Sequence, residues 1–285
     1  MASASMIGAF ARAGASMIPG ASRLPFVPGG GTEIPELERM RGGIEVDRDR
    51  LASYCHVCGF TLTDTLPPTY LHILAFPLQL SLMTDPSFPF PAIGLVHIYN
   101  KITQRRPVKT SEPISLRVSA TPLEPHPRGR QFSLLTEARV GDELVWEELS
   151  TNLRRSSSGA SEQAKAPDVG STEGVPASAT WKLKGDLGRR YGAVSGDLNP
   201  IHVHPLTARL FGFPSAIAHG MWTKARCLAA LEPRLPDAFT VEAAFRKPII
   251  LPATVAFASE SSNGGFRFGV RDERKETPHL DGGVS

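Results

Sequence analysis

The chain has 285 residues with 31 basic and 28 acidic side chains, which gives a formal net charge of +3. This length favours two domains, because one domain takes roughly 100–200 residues. Apolar residues make up 41% and charged residues 21%, ordinary values that exclude wholesale disorder. The weak net charge gives no reason to expect a nucleic-acid partner, and no run of about 18 apolar residues predicts a membrane span.

The chain contains only three cysteines, Cys55, Cys58 and Cys227. Such an odd, low count argues against a disulfide framework and fits a reducing compartment, so we expect a cytoplasmic protein. Cys55 and Cys58 have the spacing of a redox or zinc pair, but a structural zinc needs four ligands and the chain has no second pair. We therefore interpret the cysteines as small packing residues.

Two stretches fall outside the predicted folded domains. Residues 1–30 contain only two charges and much Ala and Ser, which fits an organellar transit peptide or, as the favoured interpretation, a short amphipathic helix. Residues 156–180 lack aromatic residues, Leu and Ile, and 16 of these 25 residues are Ser, Gly, Ala or Pro. We expect a flexible linker there, between domains at 31–155 and 181–285.

The two predicted domains carry traces of a tandem duplication. Three matches connect them in the same order, at offsets of 137, 137 and 141 residues. The matching stretches are Tyr54–Gly59 with Tyr191–Gly196, Phe76-Pro77 with Phe213-Pro214, and Arg105–Val108 with Arg246–Ile249. One ancestral unit used twice is the simplest explanation.

Each domain is predicted to contain one helix followed by several strands. The helices are placed at 77–84 and 214–232, because a proline favours the first helical position and leads an apolar stretch in both. Strands are predicted at 94–99, 114–120, 131–140 and 144–149, and at 239–245, 254–259 and 265–270. This order predicts an α+β fold with a helix against a curved antiparallel sheet.

The densest run of polar functional groups is Ser195–His204. Its Gly, Asp, Asn and Pro residues predict a turn that brings Asp197 and His202 together. A carboxylate beside an imidazole can hold a water or a substrate hydroxyl between two proton-transfer groups. Two alternatives stay open: an Asx turn that serves only the backbone, and a metal site with Asp197, His202 and His204 as ligands, the two histidines on one face of an extended segment.

A second cluster, Ala218-His-Gly220-Met, adjoins the apolar helix of the second domain. A glycine in the first helical turn has a free backbone N–H and lets a ligand approach closely. The helix dipole favours negative charge at the same end. These features predict an oxyanion-binding site, with close helix–sheet packing as the alternative reason for the glycine.

Together the two clusters resemble the signature of the MaoC-like (R)-specific enoyl-thioester hydratases, also called hydratase 2. The matching residues run from Tyr191 to His202 and from Ala218 to Met221, and Arg246-Lys-Pro248 resembles a later strand motif of that family. The likeness covers the whole second domain. With its degenerate first domain, the chain is similar to the two-domain mycobacterial and actinobacterial 3-hydroxyacyl-thioester dehydratases. The resemblance implies a double hotdog, in which each of two tandem domains wraps a curved antiparallel sheet around a central helix.

The resemblance also implies roles for individual residues. Asp197 and His202 are expected to be the catalytic pair, and the N–H of Gly220 the oxyanion donor. Substrate contacts are expected from Ser195, Asn199, His219, Met221, Arg246 and Lys247. In the repeat alignment Phe60 takes the place of Asp197 and Thr65 that of His202, so the first domain is predicted to be catalytically inert.

The expected reaction is the reversible addition of water to a trans-2-enoyl thioester of CoA or acyl carrier protein, in fatty-acid metabolism. It gives the (R)-3-hydroxyacyl thioester, and neither a metal nor an organic cofactor is implied. A hotdog thioesterase and a non-catalytic acyl-thioester-binding subunit are the alternatives. The two domains would form a pseudo-dimer within one chain, and a homodimer of such chains stays open.

The apolar stretch 71–82 of the first domain, interrupted mainly by His72 and Gln79, suggests a further expectation. A domain without a catalytic pair is free to house a long acyl tail. Completion of the hydrophobic core is the alternative role for the same stretch.

Overall fold

A computed structural model of the chain describes residues 33–92, 94–155, 169–262 and 264–285. The predicted N-terminal segment, with its choice between transit peptide and helix, lies outside the described residues. So do residues 156–168 of the predicted linker. Within the remainder of that linker Val169 and Thr172 are buried, and strand β7 begins at Ala179.

Each half of the molecule has the same coarse order of elements: one strand, then helices, then several strands. The first half contains β1 (Glu38–Ile44), α1 (Arg48–Cys58), α2 (Tyr70–Met83), β2 (Leu95–Gln104), β3 (Ile114–Ala120), β4 (Glu124–His126), β5 (Gly129–Val140) and β6 (Glu143–Arg155). The second half contains β7 (Ala179–Leu183), α3 (Leu187–Ser195), α4 (Pro200–Val203), α5 (Pro205–Leu210), α6 (Gly220–Leu231), β8 (Phe239–Phe245), β9 (Ala253–Ser262), β10 (Gly265–Asp272) and β11 (Pro278–Val284). All seven predicted strands are present at their predicted places, five of them longer than expected.

The described strands form one antiparallel sheet in the order β1-β3-β5-β6-β2-β8-β11-β10-β9-β7, with β4 paired to β5. The halves join at β2 and β8, whose register runs from Tyr99 opposite Ala244 to Gln104 opposite Phe239. Outward from this junction the order is β2, β6, β5, β3, β1 on one side and β8, β11, β10, β9, β7 on the other. The two halves therefore repeat one five-stranded arrangement, and helices α2 and α6 pack on its two copies.

Both predicted helix starts are wrong. Helix α2 begins at Tyr70, with Pro77 inside it, where the proline removes only one intrahelical hydrogen bond. Helix α6 begins at Gly220 because the preceding residues are extended: Ala218 N–H donates to Ile249 O and Leu251 N–H donates to Ala216 O, at 3.0 and 2.8 Å.

The repeat alignment holds at its ends and fails in its middle. Gly59 and Gly196 both end a helix in the left-handed conformation, with φ of 86° and 85°. Thr65 forms a β-bridge with Lys109, as Ile217 does with Ile250, so Thr65 corresponds to Ile217. The assignment of Thr65 to the position of His202 is therefore wrong. The Phe-Pro match is wrong as well, since Phe76-Pro77 lies inside α2 and Phe213-Pro214 lies between α5 and α6.

One hydrophobic core extends through both halves. All three cysteines are buried and free, and burial raises the pKa of each thiol, that of Cys55 to about 11. Thiols that stay protonated are unreactive, which agrees with the interpretation of the three cysteines as packing residues. None of the described helices is long and apolar enough to cross a membrane.

Candidate active site

The candidate site begins at the turn that follows α3. Gly196 ends the helix, and the N–H of Asp197 donates to Ser195 Oγ at 3.1 Å. The N–H of Asn199 donates to Asp197 Oδ1 at 3.1 Å, and the N–H of Ile201 donates to Asn199 Oδ1. The Asx turn is thus present, but it uses only one carboxylate oxygen. Oδ2 of Asp197, whose side chain is 27% exposed, is left for chemistry.

Two glycines of α3 allow this turn to lie against the helix. A Cβ on Gly188 would stand 1.9 Å from the carbonyl oxygen of His202, and a Cβ on Gly192 would stand 2.8 Å from that of Asp197. Any side chain at Gly188 would displace the segment that carries His202. The spacing Gly188–Gly192 therefore sets the position of both functional residues.

His202 lies on the short helix α4, not on an extended segment. Its Nδ1 donates to the carbonyl oxygen of Ile217 at 2.8 Å, which leaves Nε2 as the free nitrogen. Burial lowers the pKa of His202, although Asp197 acts in the opposite direction. The neutral ring thus has an unshared electron pair on Nε2, as a proton acceptor requires.

Asp197, His202 and His219 each contribute a polar side-chain atom to one group whose members lie within 4.8 Å of one another. The structure gives no hydrogen bond between the Asp197 carboxylate and His202. A water that hydrogen-bonds to two groups at about 2.8 Å each can bridge atoms that are up to this far apart. The pair is therefore close enough for one water, or one substrate hydroxyl, to bridge them.

His219 supports this pair from behind. Its ring stacks on that of His202, with centroids 3.7 Å apart, and its Nε2 donates to the carbonyl oxygen of Asp197 at 3.1 Å. Burial lowers the pKa of His219 to about 3, with His202 acting in the same direction. The neutral ring fixes the turn carbonyl and the plane of His202.

The same three residues offer a metal one ligand atom each. The two imidazole rings are tilted by only 25° and stacked 3.7 Å apart, so their electron pairs lie in nearly parallel, separate planes and do not converge on one ion. His204 takes no part, because it is exposed and its Nδ1 accepts from the N–H of Leu206. The site geometry thus favours hydrogen bonding over ligation.

Gly220 is the first residue of α6, so its N–H has no intrahelical acceptor. A Cβ at this position would approach the ring of Phe245 to 3.0 Å. The glycine is therefore explained both by packing and by the open approach that it gives to a ligand. The positive end of the helix dipole lies at the same point.

A cavity of about 250 Å³ borders these groups. All nine predicted site residues line it: Ser195, Asp197, Asn199, His202, His219, Gly220, Met221, Arg246 and Lys247. Polar lining residues that the sequence did not predict come from several other elements, namely His72, Gln79, His97, Ser150, Asn152, Arg155, Tyr191, Thr223 and His279. The first two interrupt an otherwise apolar stretch, a signal that could have marked them.

Basic groups contribute to one part of the cavity wall. Arg246 is one-third exposed and its Nε donates to Asp281 Oδ2 at 2.8 Å. Lys247 and Arg155 are exposed lining residues, and His279 Nδ1 donates to the carbonyl oxygen of Lys247 at 2.9 Å. Arg246 thus forms an ion pair with Asp281, whereas no ion pair among the described residues uses Lys247 or Arg155.

Comparison with known proteins agrees with this geometry. Residues 171–281 match the model of the MaoC like domain. The chain is 37% identical over 269 residues to the 3-hydroxyacyl-thioester dehydratase X of Mycobacterium tuberculosis, which covers 94% of both chains. The chain belongs to the MaoC-like dehydratase family.

Solved structures of MaoC-like and other double-hotdog proteins share the fold. The crystal structure of HtdX from M. tuberculosis superposes with a TM-score of 0.78 at 36% identity, covering 87% of this chain and 99% of that one. An M. tuberculosis protein described as a double hotdog superposes with a TM-score of 0.52 at 14% identity, covering 86% and 94%. The predicted fold, a double hotdog of class α+β, is confirmed.

Proposed function

We propose that this MaoC-like protein catalyses the reversible hydration of trans-2-enoyl thioesters to (R)-3-hydroxyacyl thioesters, with Asp197 and His202 as its acid–base pair. The proposal is carried by the position of Asp197 and His202, whose proton-transfer atoms lie within 4.8 Å of each other, close enough for one water to bridge them, on the same cavity as Gly220. The name of its relative in M. tuberculosis, a 3-hydroxyacyl-thioester dehydratase, supports the same reaction class.

In the hydration direction, a water held between Asp197 Oδ2 and His202 Nε2 attacks C3 of the substrate. The pair removes one proton from this water and delivers a proton to C2 on the same face, and dehydration reverses both steps. The hydrogen bond from His202 Nδ1 to Ile217 O keeps the basic nitrogen on the cavity side.

Negative charge develops on the thioester oxygen while C2 is enolate-like. The N–H of Gly220 at the start of the 12-residue helix α6 is suited to stabilise that charge, aided by the helix dipole. Ser195 and Asn199 hold the turn of Asp197, and Met221 contributes apolar lining.

The thioester carrier is proposed to lie against Arg155, Arg246 and Lys247. Both CoA and acyl carrier protein are anionic, and cations at a cavity wall attract either of them. The acyl chain is proposed to extend the other way, along the face of α2 that borders the cavity at Ile73, Phe76 and Leu80. This is the acyl-tail role considered for the stretch 71–82.

The test is the hydration of a four-carbon enoyl-CoA, followed by the loss of its enoyl absorbance. Asp197→Asn and His202→Ala should each lower the rate by roughly 10²–10⁴. His204→Asn is the matched control, since His204 lies two residues away and outside the cavity. Wild-type rates in both variants, or thiol release from a saturated acyl-CoA in place of hydration, would contradict the proposal.

A further inference from the structure

The first-half wall of the cavity is unexpectedly polar. Helix α2 presents one face to the cavity, with the lining residues His72, Ile73, Phe76, Gln79, Leu80 and Met83. Two of these six carry polar side chains, His72 and Gln79, and both are buried, at 7% and 2% exposure. A wall that met only a hydrocarbon chain would gain nothing from them, because any polar atom left unpaired against that chain is unfavourable.

Both side chains are held by one buried carboxylate, Glu148 of β6. It accepts from His72 Nδ1 at 2.8 Å, from Gln79 Nε2 at 3.0 Å and from Asn100 Nδ2 at 2.7 Å. Asn100 Oδ1 in turn accepts from the buried Lys224 of α6. Burial alone would raise the pKa of Glu148, but His72, Asn100 and Lys224 outweigh it and hold the pKa below its usual value. Glu148 is therefore ionised and its oxygens are occupied.

This arrangement decides which atoms His72 and Gln79 have left for a ligand. The Nδ1–H of His72 is committed to Glu148, so Nε2 is the ring nitrogen that remains for a ligand. Gln79 uses both hydrogens of its amide, one toward Glu148 and one toward Thr136 Oγ1 at 3.1 Å. Its Oε1 remains as an acceptor. Within the described residues, neither Nε2 of His72 nor Oε1 of Gln79 has a hydrogen-bond partner.

We propose that His72 and Gln79, held by Glu148, form a binding site for a hydroxyl group on the acyl chain of the substrate, beyond the reacting carbons. The inference rests on the proposed function, since it assigns the substrate class of that same cavity. A hydroxyl can donate to Gln79 Oε1 and can also hydrogen-bond to His72 Nε2. A methylene can do neither, and a carbonyl cannot donate to Oε1.

The location fits a chain that leaves the reacting centre. The ring of Phe245, which packs against Gly220, lies 4.8 Å from the ring of His97. His97 Nε2 hydrogen-bonds to Ser150 Oγ on β6, the strand that also carries Glu148. The hydroxyl site and the Gly220 N–H thus face the same cavity from opposite halves.

The experiment compares enoyl-CoA substrates of one chain length that carry a methylene, a hydroxyl or a keto group at the same carbon, with that carbon moved along the chain beyond C4. At one position or a small range, kcat/KM should be at least about tenfold higher for the hydroxyl than for either other group. Equal or higher kcat/KM for the plain chain at every position would overturn the proposal. A preference for the keto group would also overturn it, because a keto group cannot donate to Gln79 Oε1.

A variant tests the residues themselves. Gln79→Met keeps the length of the side chain and leaves Glu148 its bonds to His72 and Asn100, and it should reduce the hydroxyl preference about tenfold. Met83→Leu, on the same face of α2, is the control and should keep that preference. An unchanged preference in a folded Gln79→Met protein would contradict the assignment.

Failure of the proposed function is separable from failure of this inference. Hydration of the plain short enoyl-CoA by the wild-type protein tests the function alone. If none of the thioesters turns over, calorimetric titration with the hydroxylated and plain chains still decides the inference, because the hydroxylated chain must bind more tightly. Equal affinities would overturn it.

Discussion

The central helices of the two halves, α2 and α6, differ at their N-termini. That of α2 lies in the core, whereas that of α6 borders the cavity. Helix α2 begins with Tyr70 after Thr69, whose Oγ1 accepts from Tyr54 OH at 2.8 Å inside the core. Helix α6 begins with Gly220 after His219, and both border the cavity. In the first half the residue before the helix is thus hydrogen-bonded to an aromatic side chain inside the core. In the second half the start of the helix borders the cavity.

The segments before these helices differ even more. In the second half the chain runs from Gly196 through α4 and α5 before it reaches α6, and Asp197 and His202 both lie in this connecting segment. The first half passes from Gly59 to Tyr70 without a helix and places Phe60 after its glycine. Within this described segment there is no counterpart of His202. The first half therefore lacks the whole structure that carries an acid–base pair, not merely one of its side chains.

The largest expected effect concerns a feature that the halves share, a histidine in each that the protein interior holds neutral. Burial lowers the pKa of His97 to about 3, with His72 in support, and it lowers that of His219 to about 3. Because the folded pKa lies below the unfolded value, protonation favours the unfolded state. The contribution of each ring is present above pH 6.5 and is lost as pH falls toward 3. Between pH 6.5 and 5 each histidine should lower the free energy of unfolding by up to about 2 kcal/mol.

Urea unfolding at several pH values in this range measures the loss. His97→Phe and His219→Phe should each flatten the curve, and similar flattening would mean that the two halves share the acid sensitivity. A wild-type protein with constant stability from pH 6.5 to 5 would show that neither ring is held neutral.

The next effect separates the two helix starts. Gly220→Ala places a methyl group against Phe245 and shifts the N–H at the reacting centre, so we expect kcat to fall about 100-fold. Tyr70→Phe is the matched change in the first half. Its hydroxyl is buried without a hydrogen-bond partner, so both activity and stability should stay close to wild type. Enoyl-CoA hydration and thermal melting measure both variants, and comparable losses in the two would show that the first-half helix end is not inert.

The candidate site of the second half could be predicted from the sequence because its signals are local. Ser195–His204 and Ala218–Met221 are continuous runs whose turn and helix preferences act over a few residues, and all nine predicted site residues line one cavity. The strands were predicted from the same kind of local pattern. Helix α2 was misplaced because a proline that is tolerated inside a packed helix gives the same local signal as a proline that starts one.

What sequence reasoning missed depends on contacts between distant residues. The gapless repeat alignment assigned Thr65 to His202 because nothing in the chain marks where α4 and α5 were inserted. The pairing of Thr65 with Lys109 and of Ile217 with Ile250 reveals it only in the folded sheet. His72 and Glu148 are 76 residues apart and meet through the packing of α2 on the sheet. A polar residue in an apolar stretch indicates that it has a hydrogen-bonding partner. The sequence does not show which residue that partner is.

The smallest expected effect tests whether the residue before each helix has changed its role between the halves. His219→Leu removes the hydrogen bond to the Asp197 carbonyl and the ring that stacks on His202, so kcat should fall about tenfold with KM within twofold. His219→Gln retains a donor and should restore part of the rate. Thr69→Val, at the corresponding position, should cost about 1 kcal/mol of stability through the lost Tyr54 bond and leave kcat unchanged. A fall in kcat for Thr69→Val, or a change for His219→Leu confined to thermal stability, would mean that both positions serve only the fold.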